Sequence, residues 1–436
     1  MKYYVLTLGC QMNISDSERL TTVFSNMGFV KTDKEEDADI LGIVACSVRQ
    51  KAIDKVYSRI HLWNKWKQDK NLITFVTGCL LDEDKKKFLK TFDLVFDTND
   101  MTGLPDMISQ YGVTTPTGLQ HHHNQGEFWG ISPSYDSRYE AFIPIQNGCD
   151  KFCTYCAVPY TRGREVSRPS SDILNEIKIL LSKGYKSITL LGQNVNSYGL
   201  DKDEELSFAE LLDEIGKIGD LAEHPFWLYF TSPHPRDMTM DVLETMARYK
   251  CLAKQIHLPL QSGDNEVLKK MNRNHSLADY RIIVNNIRRI LPQATLFTDI
   301  IVGFTDESED NFENTRLALE EFGYNMAYIA IYSPRPGAVS SRWDDKIPQD
   351  VKKRRLHILS DVFIKSAGRY NESLIRSTMD ILVTGKSRDG LRWTGLTEGK
   401  INIHFNGNDS IQPGHFIPVK ITGSTGISLQ GEAVLS

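Results

Sequence analysis

The sequence predicts an α/β protein in three parts: an N-terminal doubly wound parallel sheet, a central partial TIM-like (β/α)6 barrel, and a small C-terminal antiparallel β-barrel. Three observations carry this. Short apolar, β-rich runs alternate with helical stretches up to about residue 110; the alternation resumes with a longer period between about 139 and 369; and the tail turns to short Gly-, Thr- and Ile-rich runs. At about 150 residues per domain, 436 residues agree with three units.

In the first part, residues 3–8, 39–45 and 72–77 read as strands, and 49–66 and 83–89 as helices. Ser15 and Asp16 can cap another helix running to about Met27. Apolar strands between helices imply a parallel sheet covered on both faces. Residues 112–136, with the run His121-His122-His123, read as a solvated linker. The barrel strands are expected at 142–146, 187–191, 227–230, 255–259, 296–301 and 327–332. Its helices are expected at 171–183, 208–218, 240–249, 277–291, 309–322 and 349–371. The tail strands are expected at 381–384, 392–396, 401–405, 416–421 and 427–429, joined by Gly turns. The domains are thus 1–111, a linker at 112–136, 137–372 and 373–436.

Composition supports sizeable cores, at 40% hydrophobic and 25% charged. With 51 basic against 56 acidic residues the net charge is −5, which excludes a polybasic protein but allows a local basic patch. No apolar run approaches the roughly 18 residues of a membrane span, and the start lacks the pattern of a signal peptide. A cytoplasmic protein without a membrane partner is expected.

Six of the seven cysteines fall into two triplets. Cys10, Cys46 and Cys79 each stand just past the carboxyl end of a successive strand, the edge where open α/β sheets bind ligands. Cys149-x3-Cys153-x2-Cys156 is tight. Structural zinc needs four ligands, usually in paired C-x2-C units, whereas three soft thiolates in one loop suit iron–sulfur binding. Three cysteines can hold three irons of a 4Fe–4S cluster and leave the fourth open to a small chelating ligand. Cys251 reads as a buried small hydrophobe. Small or polar residues follow every barrel strand, including Gly192-Gln193-Asn194, Thr231-Ser232, Gln261-Ser262-Gly263 and Gly303, on the face where β/α barrels place active sites.

The tight triplet, with Tyr155 before its last cysteine, resembles that of radical S-adenosylmethionine enzymes. The whole chain resembles the MiaB-type methylthiotransferases, which act on isopentenyl-adenosine in tRNA. The residues that carry this are Gly9-Cys10-Gln11-Met12-Asn13, Asp16-Ser17-Glu18, Phe152-Cys153-Thr154-Tyr155-Cys156, Arg162-Gly163-Arg164-Glu165-Val166-Ser167-Arg168, Gly192-Gln193-Asn194-Val195-Asn196, Leu258-Pro259-Leu260-Gln261-Ser262-Gly263 and Ser333-Pro334-Arg335-Pro336-Gly337. Ala45 stands where the family commonly has Thr, and Leu80-Leu81 where Met-Ala is usual; neither removes a ligand.

The resemblance implies a radical S-adenosylmethionine barrel, a C-terminal TRAM domain, and two 4Fe–4S clusters. Cys149, Cys153 and Cys156 would hold the radical cluster, and Cys10, Cys46 and Cys79 an auxiliary one that carries the methylthio group. One S-adenosylmethionine would methylate that sulfur and a second would yield the radical that attacks C2 of the base. Tyr155 would contact adenine of the cofactor, with Gln193, Ser232, Gln261 and Asp299 as further cofactor or active-site contacts. The implied partners are a tRNA anticodon stem-loop, an electron donor such as flavodoxin or ferredoxin, and a sulfur source. The same chemistry on an aspartate of a ribosomal protein, and a non-enzymatic iron–sulfur RNA-binding redox sensor, stand as alternatives.

Residues 346–372 carry seven basic and three acidic residues, densest at Lys352-Lys353-Arg354-Arg355. Arg354, Arg355, Lys386, Arg388 and Arg392 are candidate phosphate contacts and Trp393 a candidate stacking ring. On this reading, removal of 373–436 weakens tRNA binding and leaves cluster content unchanged.

Overall fold

A computed structural model describes residues 1–48, 50–112 and 128–434. The run His121-His122-His123 lies outside the described residues. In the N-terminal part, β1 (Lys2–Thr7), β2 (Val30–Lys31), β3 (Ile40–Cys46), β4 (Ile73–Cys79) and β5 (Leu94–Val95) form a parallel sheet of order β2-β1-β3-β4-β5. They are interleaved with α1 (Gln11–Asn26), α2 (Gln50–Trp66) and α3 (Asp82–Phe88), and followed by α4 (Leu104–Ser109). Every residue of β3 and β4 is buried, because helices cover both faces. One face packs Leu20, Phe24 and Phe75, the other Ile53, Val56, Ile60 and Trp63.

Helix α1 starts earlier than Ser15 and Asp16 suggest. Cys10 is its N-cap, and the Cys10 backbone N–H donates to Asn13 Oδ1 at 3.2 Å. Asn13 thus plays the reach-back part of a capping box. Ser15 and Asp16 fall inside the helix and are fully buried.

The central part begins with β6 (Glu140–Pro144). A short antiparallel pair, β7 (Gln146–Asn147) and β8 (Val166–Ser167), brackets the tight cysteine triplet and α5 (Val158–Thr161). Then follow α6 (Ser170–Ser182), β9 (Ser187–Leu191), α7 (Phe208–Asp220), β10 (Trp227–Phe230), α8 (Met240–Arg248), β11 (Gln255–His257), α9 (Asn265–Lys270), α10 (Leu277–Ile290), β12 (Thr295–Val302), α11 (Glu309–Phe322), β13 (Met326–Ile331) and α12 (Gln349–Ser373). The six long strands form two parallel sheets, β10-β9-β6 and β11-β12-β13. A bridge between Leu228 and Leu252 joins them into an arc. Helix α1 packs against β6: Ser15 Oγ donates to Phe142 O at 3.4 Å, and Met12 meets Phe142 and Leu191. Cys251 is buried in the apolar core of the arc.

The tail strands are β14 (Thr378–Lys386), β15 (Trp393–Thr397), β16 (Asn402–Asn406), β17 (Phe416–Ser424) and β18 (Ser428–Ala433), closed in the order β14-β15-β16-β18-β17. The expectation of an antiparallel barrel holds for four pairs, while β16 and β18 run parallel. A ring with an odd number of strands cannot alternate direction all the way round, so one pair must be parallel.

This barrel is docked. Phe297, Met326, Tyr370 and Leu374 join its apolar core. Thr295 Oγ1 donates to Gly399 O at 2.8 Å, Lys254 N to Glu398 Oε1 at 2.9 Å, and Tyr229 OH to Glu398 O at 3.0 Å. Several of these contacts lie at the amino ends of the barrel strands, opposite the cysteines. Removing 373–436 would uncover this apolar surface. The end of the expected linker is also packed. Phe128 is buried under the Arg19 guanidinium, 5.0 Å from it, and Arg168 lies 5.8 Å from the Trp129 ring. No described helix is long and apolar enough to cross a membrane.

Candidate active site

The sheet edge builds the first half of the site. Cys46 and Cys79 are the last residues of β3 and β4 rather than the residues after them, and Cys10 follows β1 as the cap of α1. Asn13 ties them together: its Nδ2 donates to Ala45 O at 3.2 Å and lies 3.9 Å from Cys79 Sγ. The Cys79 thiol is held well above its ordinary range, first by its hydrogen bond with Cys46 and then by burial; burial also raises Cys10. Neighbouring positive charge favours the thiolate form. Arg162 supplies some, with Nε 2.9 Å from Cys79 Sγ. Its Nη2 lies 2.5 Å from Asp16 Oδ2, and Nη1 donates to Asn147 Oδ1 at 3.3 Å.

The second half is the loop between β7 and α5. Gly148 has φ +81°, and a Cβ there would stand 2.0 Å from Arg164 O, so glycine is required where the chain turns into Cys149. Gly148 N donates to Gln193 Oε1 at 2.6 Å. The loop is gripped from α9 and the turn after it. Thr154 Oγ1 donates to Lys270 O at 2.8 Å, and Asn272 Nδ2 to Lys151 O and Phe152 O at 3.2 and 3.1 Å. Arg273 Nη1 reaches Cys153 Sγ at 3.5 Å and Nη2 reaches Pro259 O at 3.0 Å. Burial pushes Cys149 up to about 11 and Cys156 up to about 12. Among the described residues no three His, Cys, Asp or Glu donors converge on a single ion. The thiolates of a 4Fe–4S cube bind different irons, and three soft sulfurs per triplet with one arginine beside each fit such a cube.

Tyr155 lies in this loop and Gln193 contacts it, whereas Ser232 and Gln261 follow β10 and β11 and Asp299 lies within β12. Tyr155 meets the edge of Phe304, with ring centroids 6.3 Å apart, in an apolar cluster with Val267, Met271 and Tyr332. Gln193 holds Gly148, as above. Ser232, exposed at the end of β10, has φ +59°. Gln261, with φ +71°, donates its N–H to Asp299 O at 2.8 Å, and both line a cavity of about 620 Å³ with Ile301 and Tyr328. His257 Nε2 lies 2.8 Å from Asp299 Oδ2.

Sequence reasoning missed Arg162 as a site residue, together with Asp16, Asn13, Arg273 and His257. Arg162 reads as one of several basic residues after the cysteines, and Asp16 as a cap; only the fold joins them.

The expected RNA contacts divide. Arg354 is exposed and pairs with Glu309 at 2.9 Å. Arg355 is buried, paired with Glu307 and Glu309 and seated over Phe312, so it is corrected to a structural ion pair. It shares the inner face of α12 with Leu359 and Phe363, four and eight residues on. Trp393 belongs to the core of the tail barrel, its Nε1 donating to Asn408 O at 3.2 Å; it is not a free stacking ring. Lys386 lies 4.2 Å over its face, and Arg388 and Arg392 are exposed.

Comparison with known proteins agrees with this architecture. The family model for the Radical SAM superfamily matches residues 143–319, Uncharacterized protein family UPF0004 matches 2–97, and the TRAM domain matches 372–434. The tRNA-2-methylthio-N(6)-dimethylallyladenosine synthase of Clostridium botulinum (strain Langeland) is 38% identical, over 99% of this chain and 97% of the relative. The protein of that name in Carboxydothermus hydrogenoformans is 38% identical over 99% of both chains. Among solved structures, the radical S-adenosylmethionine methyltransferase TsrM from Kitasatospora setae matches with a TM-score of 0.56 at 12% identity, over 78% of this chain and 74% of that one. The cobalamin-dependent S-adenosylmethionine radical enzyme OxsB matches with a TM-score of 0.52 at 14% identity, over 83% of this chain and 56% of that one. These two likenesses concern the fold.

Proposed function

Because the chain belongs to the family of the tRNA-2-methylthio-N(6)-dimethylallyladenosine synthases, the MiaB-type radical S-adenosylmethionine methylthiotransferases, we infer that it adds a methylthio group to C2 of N6-isopentenyladenosine at position 37 of tRNA, beside the anticodon. The observation that carries this in the chain's own geometry is Arg162, which follows the barrel-loop cysteines in sequence and whose side chain reaches the sheet-edge triplet, donating to Cys79 Sγ and pairing with Asp16.

Cys149, Cys153 and Cys156 would hold the radical 4Fe–4S cluster with S-adenosylmethionine, and Cys10, Cys46 and Cys79 a second cluster. The chemistry these groups supply is one-electron cleavage of the sulfonium and delivery of a methylated sulfur, needed because no side chain can deprotonate an aromatic C–H. The protein's part is to place and shield. Gln193 fixes the turn into Cys149. Tyr155 and Phe304 form an apolar wall that keeps water from the reacting atoms. Gln261 and Asp299 offer polar contacts on the cavity wall. Ser232 completes the set of strand-end contacts. An external electron donor of the flavodoxin or ferredoxin type and a sulfur source balance the reaction, since the cleavage consumes an electron and each product carries sulfur away.

The RNA has a path. Helix α12, 25 residues and so about 37 Å long, leads to the tail barrel. Lys353, Arg354, Lys365 and Arg369 are exposed along it, interrupted by exposed Asp361, and Lys386, Arg388 and Arg392 continue the basic surface. An anticodon stem-loop lying here would present its base to the cysteine face and its backbone to the helix and tail.

The test is anaerobic incubation of the reconstituted protein with S-adenosylmethionine and isopentenyl-adenosine-containing tRNA, followed by mass spectrometry of the nucleosides. A methylthio product on the base supports the assignment. Product only on a ribosomal protein, or no deoxyadenosine at all, overturns it.

A further inference from the structure

One buried side chain reaches from the segment after the radical loop to the sheet-edge cysteines. Arg162 leaves the end of α5, six residues past Cys156, and its guanidinium divides between two kinds of partner. Both terminal nitrogens turn to Asp16, at 2.5 and 3.5 Å, and Nη1 also reaches Asn147 Oδ1 at 3.3 Å. The remaining Nε–H points at Cys79 Sγ, 2.9 Å away. The side chains of Arg162 and Asp16 are 3% and 0% exposed.

An interdomain tie alone does not call for this arrangement. A buried ion pair recovers in attraction roughly what it loses in solvation, and apolar residues would hold the two parts together as well. Nor does the carboxylate require all of the fork, because Nε is left over. That donor is satisfied by a sulfur which, in a thiolate or as a cluster ligand, carries negative charge, and hydrogen bonds to a charged acceptor are the strong ones.

We infer that Arg162 is a positioning residue of the auxiliary site: held by Asp16 and Asn147, it donates to the Cys79 sulfur, fixes that ligand relative to the radical loop and stabilises the more reduced state of the group bound there. The inference rests on the reading that Cys10, Cys46 and Cys79 hold a 4Fe–4S cluster. Hydrogen bonds and positive charge at a cluster's sulfurs favour the extra electron and raise the reduction potential. Asp16 opposes this by neutralising part of the arginine's charge. The two residues therefore act with opposite sign on one centre. Arg273 stands at Cys153 of the other triplet, so changes at Arg162 should not move the radical centre's potential.

The test compares the full-length wild type, Arg162→Gln, Arg162→Lys and Asp16→Asn, each reconstituted anaerobically. Iron and sulfide are counted, and both centres are titrated by EPR. The wild type should hold two clusters. In Arg162→Gln the auxiliary midpoint should shift negative while the radical midpoint stays. In Asp16→Asn the auxiliary midpoint should shift positive, and Arg162→Lys should fall between wild type and Arg162→Gln. Methylthiolation kcat in Arg162→Gln should fall about 10-fold, as for removal of other groups that orient metal ligands, with KM for tRNA unchanged. If Arg162→Gln does not load iron, the opposite displacements of Arg162→Lys and Asp16→Asn decide. Fully loaded variants with the wild-type auxiliary midpoint overturn the inference. A wild type that holds one cluster overturns the underlying reading of the three cysteines, and the inference with it.

Discussion

Cys46 and Cys79 are register partners at the carboxyl ends of two neighbouring parallel strands. Partners in a parallel ladder present their side chains to the same face, so the two thiols form one edge of a site, and Cys10 at the cap of α1 supplies the third. The two triplets sit on separate elements. Replacing Cys10, Cys46 and Cys79 together by Ala should remove about half of the iron, and replacing Cys149, Cys153 and Cys156 by Ala the other half. Iron analysis with EPR checks this; loss of all iron from either triple variant would show that the sites are not independent.

Gly148→Ala forces a Cβ onto the Arg164 carbonyl at a φ that L-residues avoid. The loop must shift, at a cost of about 1–3 kcal/mol, and Cys149 moves with it. The variant should lose iron from the radical site and fail to form deoxyadenosine, while keeping the spectrum of the auxiliary site.

Glu18 is buried on α1, with Oε1 accepting from Asp136 N at 3.2 Å among the charges of Asp136, Arg19 and Lys31. Burial pushes its carboxyl up to about 7 from the usual 4.5. The folded state therefore binds this proton more tightly than the unfolded state. The stabilisation is full below pH 4.5 and is lost as pH rises through 7, amounting to about 3 kcal/mol at most. Glu18→Gln keeps the acceptor and cannot ionise. It should be more stable than wild type in urea at pH 8 and indistinguishable from it near pH 4.

Arg388 and Arg392 are exposed on the tail barrel, whereas Trp393 lies inside it. The double variant Arg388→Ala, Arg392→Ala should weaken tRNA binding and flatten its salt dependence by about one unit per lost phosphate contact. Trp393→Ala should instead cost about 3–5 kcal/mol of stability through the cavity it leaves. Fluorescence anisotropy at several salt concentrations, set beside denaturation curves, separates the two. An unchanged salt slope in the double variant would remove the tail from the RNA path.

The fold was legible wherever apolar periodicity was strong. The segments 187–191, 227–230 and 309–322 coincide with observed elements because buried apolar runs and amphipathic turns leave little choice of register. Short elements escaped. The two-residue strands β7 and β8 and the six-residue α9 carry no pattern of their own, and exist because the cysteine loop must be bracketed and gripped. The cysteines were legible as ligands from their chemistry and spacing. Arg162 and Asp16 were not, because 146 positions separate them and neither residue type is informative alone. Arg355 and Trp393 show the limit from the other side: a basic run and an aromatic ring read as surface features until the phase of α12 and the closure of the tail barrel turn both inward.

The docking of the tail barrel on Phe297, Met326 and Tyr370 couples the two units through a shared apolar core. They should melt in a single transition, and a protease should find no population with the tail released. A ligand that binds only the folded tail must then stabilise the arc of strands as well, by mass action. Nucleic acid gripped far from the cysteines would in this way firm up the scaffold that holds them, before any base has reached the chemistry.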